Sequence, residues 1–232
     1  MADAPARPPA TPDNTGADAP LKKAAYDRFQ QALLQGRLRP GQVVSQKELV
    51  SLLDMSIGAL RELLPRLEAE GLLHVMPKRG IQITAIDLPM IRDAFQMRIA
   101  LEREAVLAAV RTMPDEDIDR QDQLHRDILD RLAAAGSPPP AFFDEGQDLD
   151  SAFHDLLISA TGNELMIQAY NVNSIRIRLI KLDRIRLTKL TLPSAFADHL
   201  AVIAALKARD PAAAVAAIET HVRNARDRAI EL

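Results

Sequence analysis

From residue 21 on, apolar positions recur with helical spacing along most of the chain, and the main exception is a β-prone stretch near residues 72–84. A helix is predicted over 21–36, with Ala25, Phe29, Leu33 and Leu34 on its buried face and Gly36 as its stop. Residues 37–41 form a turn, and Val43 and Val44 a short extended piece. Ser45 opens a short helix. Glu48 stands three residues on, the spacing of a capping box, and Leu49, Leu52 and Leu53 make the apolar face. Asp54 and Met55 break that period. Ser56 caps a second helix with Leu60, Leu63, Leu64 and Leu67 on one side and Gly71 at its end. Pro65 lies inside this helix, and its missing N–H predicts either a bend or an early end. Two β-prone runs, 72–76 and 81–84, flank Pro77, Lys78, Arg79 and Gly80, a turn with two cations at its tip.

Helix, tight turn, helix and hairpin in that order is the layout of a winged helix-turn-helix. In that layout the second helix enters a DNA major groove and the wing touches the backbone or minor groove. From Leu88 the pattern is helical to the end. Helices are expected at 88–112, 114–135, 146–161, 163–190, 194–208 and 211–231, with a loop over 136–140, where Gly136 and Ser137 precede three prolines. The first of these buries Ile91, Phe95, Ile99, Leu101, Ala105 and Ala108. Six helices without a strand make an all-α bundle. Residues 1–20 hold five prolines and no apolar period, so a disordered tail is expected there. The chain is thus mostly α: tail 1–20, winged helix-turn-helix 21–84 and all-α domain 88–232.

Composition sharpens this picture at three points. There is no cysteine, which excludes disulfides and thiolate metal sites. Residues 21–83 hold 10 Lys/Arg against 6 Asp/Glu, a balance of +4, while residues 84–232 hold 18 against 23, a balance of −5. A basic first domain on an acidic remainder suits a DNA reader joined to something else. No secretory signal and no 18-residue apolar run is present, so a cytoplasmic protein without a membrane partner is expected.

The second domain carries a candidate metal site. Histidines occur at 74, 125, 154, 199 and 221. Asp150 and His154 are four apart and share a helix face. His199 and His221 lie about eleven residues on either side of the turn at Arg209, Asp210 and Pro211, so in an antiparallel hairpin both sit roughly 16 Å from it, level with each other. Three imidazoles and a carboxylate suit a divalent first-row ion, zinc first, nickel or manganese next. His74 and His125 lack such partners and are assigned to the wing strand and the charged helix.

Residues 21–84 resemble the DNA-binding domain of the GntR superfamily of bacterial regulators. The matching pieces are Gly36, Leu38, Pro40 and Gly41 in the turn, Ser45, Glu48 and Leu49 at the first helix, Ser56, Arg61, Glu62 and Leu64 in the second, Leu67 to Leu72 at its close, and Pro77, Arg79 and Gly80 in the wing. The resemblance implies dimeric, sequence-specific binding to double-stranded DNA through Ser45, Lys47, Ser56, Arg61, Lys78, Arg79 and Gly80. It also marks two departures. The arginine and threonine that usually contact DNA are replaced by Ile57 and Gly58, and Ile57 offers no more than apolar contact to a thymine methyl.

The second domain resembles the FCD effector domain of the FadR branch of that superfamily. Phe95, Arg98, Leu101 and Glu102 match on its first helix, then Asp150, Phe153, His154, Gly162 and Asn163, then His199, Ile203, Ala205, Leu206 and Asp210 ahead of His221. The helix number is closer to the VanR-type subgroup than to the seven-helix acyl-CoA responder. The resemblance implies a metal held by Asp150, His154, His199 and His221, with a small organic acid beside it. Arg98 takes the family's inward-facing arginine position, or else pairs with Glu102 at i+4. Asn171 and Asn173 face either the ligand or solvent. Of the cations at 176, 178, 181, 184 and 186, most are read as a solvated face, with Arg176 or Arg178 reaching the pocket. The expected function is a homodimeric transcriptional regulator, a repressor on a pseudo-palindromic operator, controlled by a carboxylate. A direct metal sensor and a metal-dependent hydrolase are the alternatives.

Overall fold

In the computed structural model the described residues are 15–231, with side chains from residue 23 on, and they divide at Thr84/Ala85 into two compact units. Residues 1–14 of the expected tail lie outside the described residues.

The first unit is built from α1 (Thr15–Leu34), β1 (Val43–Val44), α2 (Gln46–Leu53), α3 (Ile57–Ala69), β2 (Leu73–Met76) and β3 (Gly80–Ile83). Helix α1 therefore begins inside the stretch expected as tail. Both short helices start as their sequences dictate. The Ser45 hydroxyl accepts the Glu48 N–H and the Glu48 carboxylate accepts the Ser45 N–H, while the Ser56 hydroxyl accepts the Ala59 N–H. Such caps are each worth about 1 kcal/mol. Helix α3 runs through Pro65 to Ala69 without an early end. Leu60, Leu63, Leu64 and Leu67 are all buried and hold the helix past its missing hydrogen bond. Burying each leucine is worth roughly 1.5–3 kcal/mol, enough to offset that loss.

The wing is three-stranded rather than a simple hairpin, in the order β1-β3-β2, with Val44 opposite Ile81 and Val75 opposite Ile81 from the other side. Two valines are too short a run to announce a strand. Gly80 has a φ of 111°, and a Cβ there would lie 2.8 Å from the Val44 carbonyl oxygen. Only glycine lets β1 and β3 close at this point.

The second unit holds α4 (Leu88–Thr112), α5 (Asp115–Ala134), α6 (Pro140–Ser159), α7 (Glu164–Asp183), α8 (Leu192–Lys207) and α9 (Pro211–Ile230). Helix α4 is the centre: α6, α7, α8 and α9 all pack on it, and α5 covers α8. Two boundaries differ from expectation. Helix α6 starts at Pro140, six residues early, because proline at the first helical position costs nothing. Helix α7 stops at Asp183 rather than 190. Among the described residues no helix is long and apolar enough to cross a membrane.

Candidate metal centre and nucleic-acid interface

Asp150 and His154 on α6, His199 on α8 and His221 on α9 converge in the core of the second unit. One ligand atom from each lies within 4.8 Å of all the others, and all four residues are buried. The α8–α9 hairpin is level as the spacing requires: His199 Nε2 and His221 Nε2 are 3.2 Å apart. Asp150 Oδ1 is 3.6 Å from His199 Nε2.

Surrounding groups fix the protonation of these rings. His125 on α5 places Nδ1 2.7 Å from the Gln121 carbonyl oxygen. A carbonyl accepts only, so Nδ1 carries the proton and Nε2 of the neutral ring is bare. That bare Nε2 lies 2.9 Å from His199 Nδ1, which must donate to it. His199 Nε2 is then a lone pair facing the site. His154 Nδ1 lies 2.9 Å from Glu102 Oε2, an approach that is close but poorly directed for a hydrogen bond. The carboxylate again accepts only, which leaves His154 Nε2 bare, and Arg98 Nη2 contacts it. His221 Nδ1 faces Asp198 Oδ2 at 3.7 Å and has no hydrogen bond. Partners of this kind orient histidines that bind metals.

Burial drives all three rings toward the neutral form. The pKa of His154 falls to about 4, through burial first and then Arg98, against the pull of Glu102. His199 is well below the ordinary value through burial and the neighbouring His221 and His154. His221 is lowered, chiefly by burial. Burial alone would raise the Asp150 carboxyl, but Lys181, His154 and Arg98 outweigh it and hold the group ionised. Three neutral imidazoles and an ionised carboxylate are the forms a divalent ion requires. His199 Nε2, a lone pair, lies 3.2 Å from His221 Nε2, and the buried His221 Nδ1 lacks a hydrogen-bond partner. The donor set fits a metal.

Sequence reasoning missed several neighbours. His125, which the sequence leaves without a partner, sits against His199 between the rings of Phe153 and Phe196. Its signal was present: Ile118, His125, Ile128 and Leu132 are the buried face of α5. Lys181, expected on a solvated face, is buried instead, with Nζ on Asp150 Oδ2. Arg98 does pair with Glu102, at 2.6 Å, but in the interior rather than at the surface. Arg98 Nη1 makes no hydrogen bond. Asn173 is buried and its Nδ2 donates to the Ala94 carbonyl at 2.9 Å, tying α7 to α4. Beside the cluster is a cavity of about 10 Å³, lined by Arg98, His154, Tyr170, Arg178 and Lys181 among others; Asn173 and Arg176 are not in its wall.

In the first unit Arg28, Arg37 and Arg66 are tied to carbonyls or carboxylates of their own fold. Lys47, Arg61, Lys78 and Arg79 are exposed and make no side-chain hydrogen bond or ion pair to a described residue. Lys78 has a φ of 62° at the wing tip, and the Arg79 N–H closes the turn onto the Met76 carbonyl. The Ser45 and Ser56 hydroxyls accept within their caps and retain a proton to donate outward. Ile57 is 43% exposed at the start of α3.

The sequence profile described as bacterial regulatory proteins, gntR family, matches residues 21–83, and that of the FCD domain matches residues 93–224. The uncharacterized HTH-type transcriptional regulator BphR of Paraburkholderia xenovorans is 28% identical over 210 residues, covering 88% of this chain and 83% of that protein. The HTH-type transcriptional repressor GlaR of Escherichia coli is 26% identical over 202 residues, covering 85% and 90%. The structure of E. coli McbR/YncC shares the fold, with a TM-score of 0.69 at 18% identity over 91% of this chain and 97% of that one. These relatives are regulators and not enzymes, which removes the hydrolase alternative. With both domains matched in order, the chain belongs to the GntR family of bacterial regulatory proteins, as a DNA-binding transcriptional regulator whose second domain is an FCD domain.

Proposed function

We propose that the protein is a homodimeric repressor whose hold on a pseudo-palindromic operator is set by a small carboxylate bound beside a divalent metal. Asp150, His154, His199 and His221 hold the ion, zinc first and nickel or manganese next. The observation that supports this most is the set of outer hydrogen-bond partners. Gln121 through His125 leaves His199 Nε2 bare, and Arg98, which only donates, makes His154 Nε2 an acceptor; both rings gather with Asp150 and His221. A metal there supplies a Lewis-acidic anchor for a carboxylate oxygen. Arg98 lines the adjoining cavity and its buried Nη1 lacks a hydrogen-bond partner, which favours an anionic effector over the metal as sole signal. The name of GlaR, a repressor, supports the direction of control.

Lys47, Arg61, Lys78 and Arg79 supply the cations for DNA, with Ser45, Ser56 and the backbone at Gly80 beside them. The effector switches binding only through unequal affinity for operator-bound and free states. Metal analysis of the purified protein, joined to operator titrations with and without chelator and with candidate acids, tests this reading. His199→Ala with His221→Ala is expected to lack metal and remain a folded dimer. Equal metal content in variant and wild type rejects the site. A switch completed by metal alone replaces effector control with direct metal sensing.

A further inference from the structure

The Asp150 carboxylate already has a cation on it. Lys181 is buried and its Nζ contacts Oδ2, while the other oxygen faces His199. We infer that Lys181 is a displaceable internal cation, which covers Asp150 when no divalent ion is held there and, once released, anchors an anionic ligand in the adjoining cavity. This rests on the metal reading above and adds a competitor to it.

Charge counting supports the idea. The buried charged side chains around the site balance in pairs: Arg98 with Glu102 and Lys181 with Asp150. A divalent ion added to this set leaves two positive charges without partners in a dry interior, an expensive state. An anion of two negative charges restores the balance: one carboxylate beside the ion and the other on the freed ammonium. A monocarboxylate restores half of it.

Space points the same way. The cavity of about 10 Å³ has room for about one water and not for a carboxylate ligand. Lys181 is part of its wall, on a flexible four-carbon stem, next to Arg98, Tyr170, Ser174 and Arg178. When Lys181 lets go of Asp150 its stem is free to swing, and the ammonium swings with it. Ion and anion then bind cooperatively, each favouring the arrangement the other needs.

The test uses the full chain, stripped of metal, with zinc affinity measured by competition against a chromophoric chelator at controlled free zinc. Without anion, Lys181→Met is expected to bind zinc at least about ten-fold tighter than wild type, since the competitor is gone. Succinate is expected to raise wild-type zinc affinity by about ten-fold and acetate by less; in Lys181→Met, where zinc leaves one unpaired positive charge rather than two, succinate is expected to lose its advantage over acetate. Zinc affinity of Lys181→Met equal to or weaker than wild type overturns the inference and leaves the metal reading standing. So does an equal advantage of succinate over acetate in both proteins. If wild type takes up no zinc while Lys181→Met takes one equivalent, the inference holds and the metal reading of the wild type falls. If neither takes zinc, both fall. If Lys181→Met is unfolded without metal, zinc is expected to fold it, and Lys181→Gln supplies the affinity comparison. Failure of zinc to fold it, with Lys181→Gln no tighter than wild type, also overturns the inference.

Discussion

His125 Nε2 accepts a hydrogen bond from His199 Nδ1 at 2.9 Å, and this contact decides which nitrogen of His199 faces the cluster of Asp150, His154 and His221. The Gln121 carbonyl sets the state of His125, and His125 sets that of His199. His125→Phe keeps the ring volume between Phe153 and Phe196 but removes the acceptor. Metal affinity is expected to fall by about 10–100-fold, the usual effect of losing such a partner. His125→Gln, which retains an acceptor, is expected to lose less. Chelator competition reads both values; a His125→Phe protein with wild-type affinity removes the relay from the account.

The ion pair of Arg98 and Glu102 is completely enclosed, with side chains 2% and 0% exposed. Glu102 is lowered to about 2 because Arg98 and His154 outweigh the cost of burial. Removing one partner leaves a buried charge, so Arg98→Met and Glu102→Met are each expected to cost about 3–5 kcal/mol. The double replacement is expected to cost well under the sum of the two. Urea unfolding of the metal-free protein, followed by helical circular dichroism, gives the three values. Additive losses would show that the two side chains do not act as a pair.

How much of this was legible in the sequence depended on the kind of signal. Capping serines, helix periods and the hairpin symmetry of His199 and His221 are local or follow from rise per residue, and they located the helices and the cluster. What failed needed tertiary knowledge. The extended piece at Val43 and Val44 lies where the sequence puts it, but its pairing with β3, which makes the wing three-stranded, is not a local property. Helix α7 carries cations at 176, 178 and 181, and nothing local says that Lys181 is buried while the other two are half-buried. His125 is legible from its place with Ile118, Ile128 and Leu132 on the buried face of α5, although charge dominates the rest of that helix.

Tyr26 and Tyr170 give an optical check on both units, since the chain has two tyrosines and no tryptophan. Burial and the hydrogen bond to Glu70 push Tyr26 up to about 12. Burial and the nearby Glu102 raise Tyr170 as well. Neither is expected to ionise near pH 10 in the folded protein, so tyrosinate absorbance stays low there and appears only in stronger alkali. The folded state keeps protons that the unfolded chain gives up near pH 10. Stability from this source is therefore complete below pH 10 and declines as pH rises toward about 12. One tyrosine titrating at pH 10 in folded protein would contradict the packing around it. Glu70→Gln is expected to bring Tyr26 down while leaving Tyr170 unmoved.

Helix α3 offers DNA a reduced set of side chains, and this makes Arg61 the test of the interface. At the helix start Ile57 and Gly58 offer no side-chain hydrogen bond, while Arg61 is exposed and unpaired among the described residues. An arginine reading a guanine contributes about 1–3 kcal/mol of discrimination, so Arg61→Ala is expected to weaken operator binding by about ten-fold or more. Random DNA is expected to lose much less. Lys78→Ala in the wing tip, if it removes a phosphate contact, weakens both duplexes alike and lowers the salt slope by about one. Anisotropy titrations at several salt concentrations, on a duplex selected from a random pool, separate the two effects. An Arg61→Ala protein with wild-type operator affinity at fixed salt would move base reading off α3, onto the wing or the backbone contacts at Ser45 and Lys47.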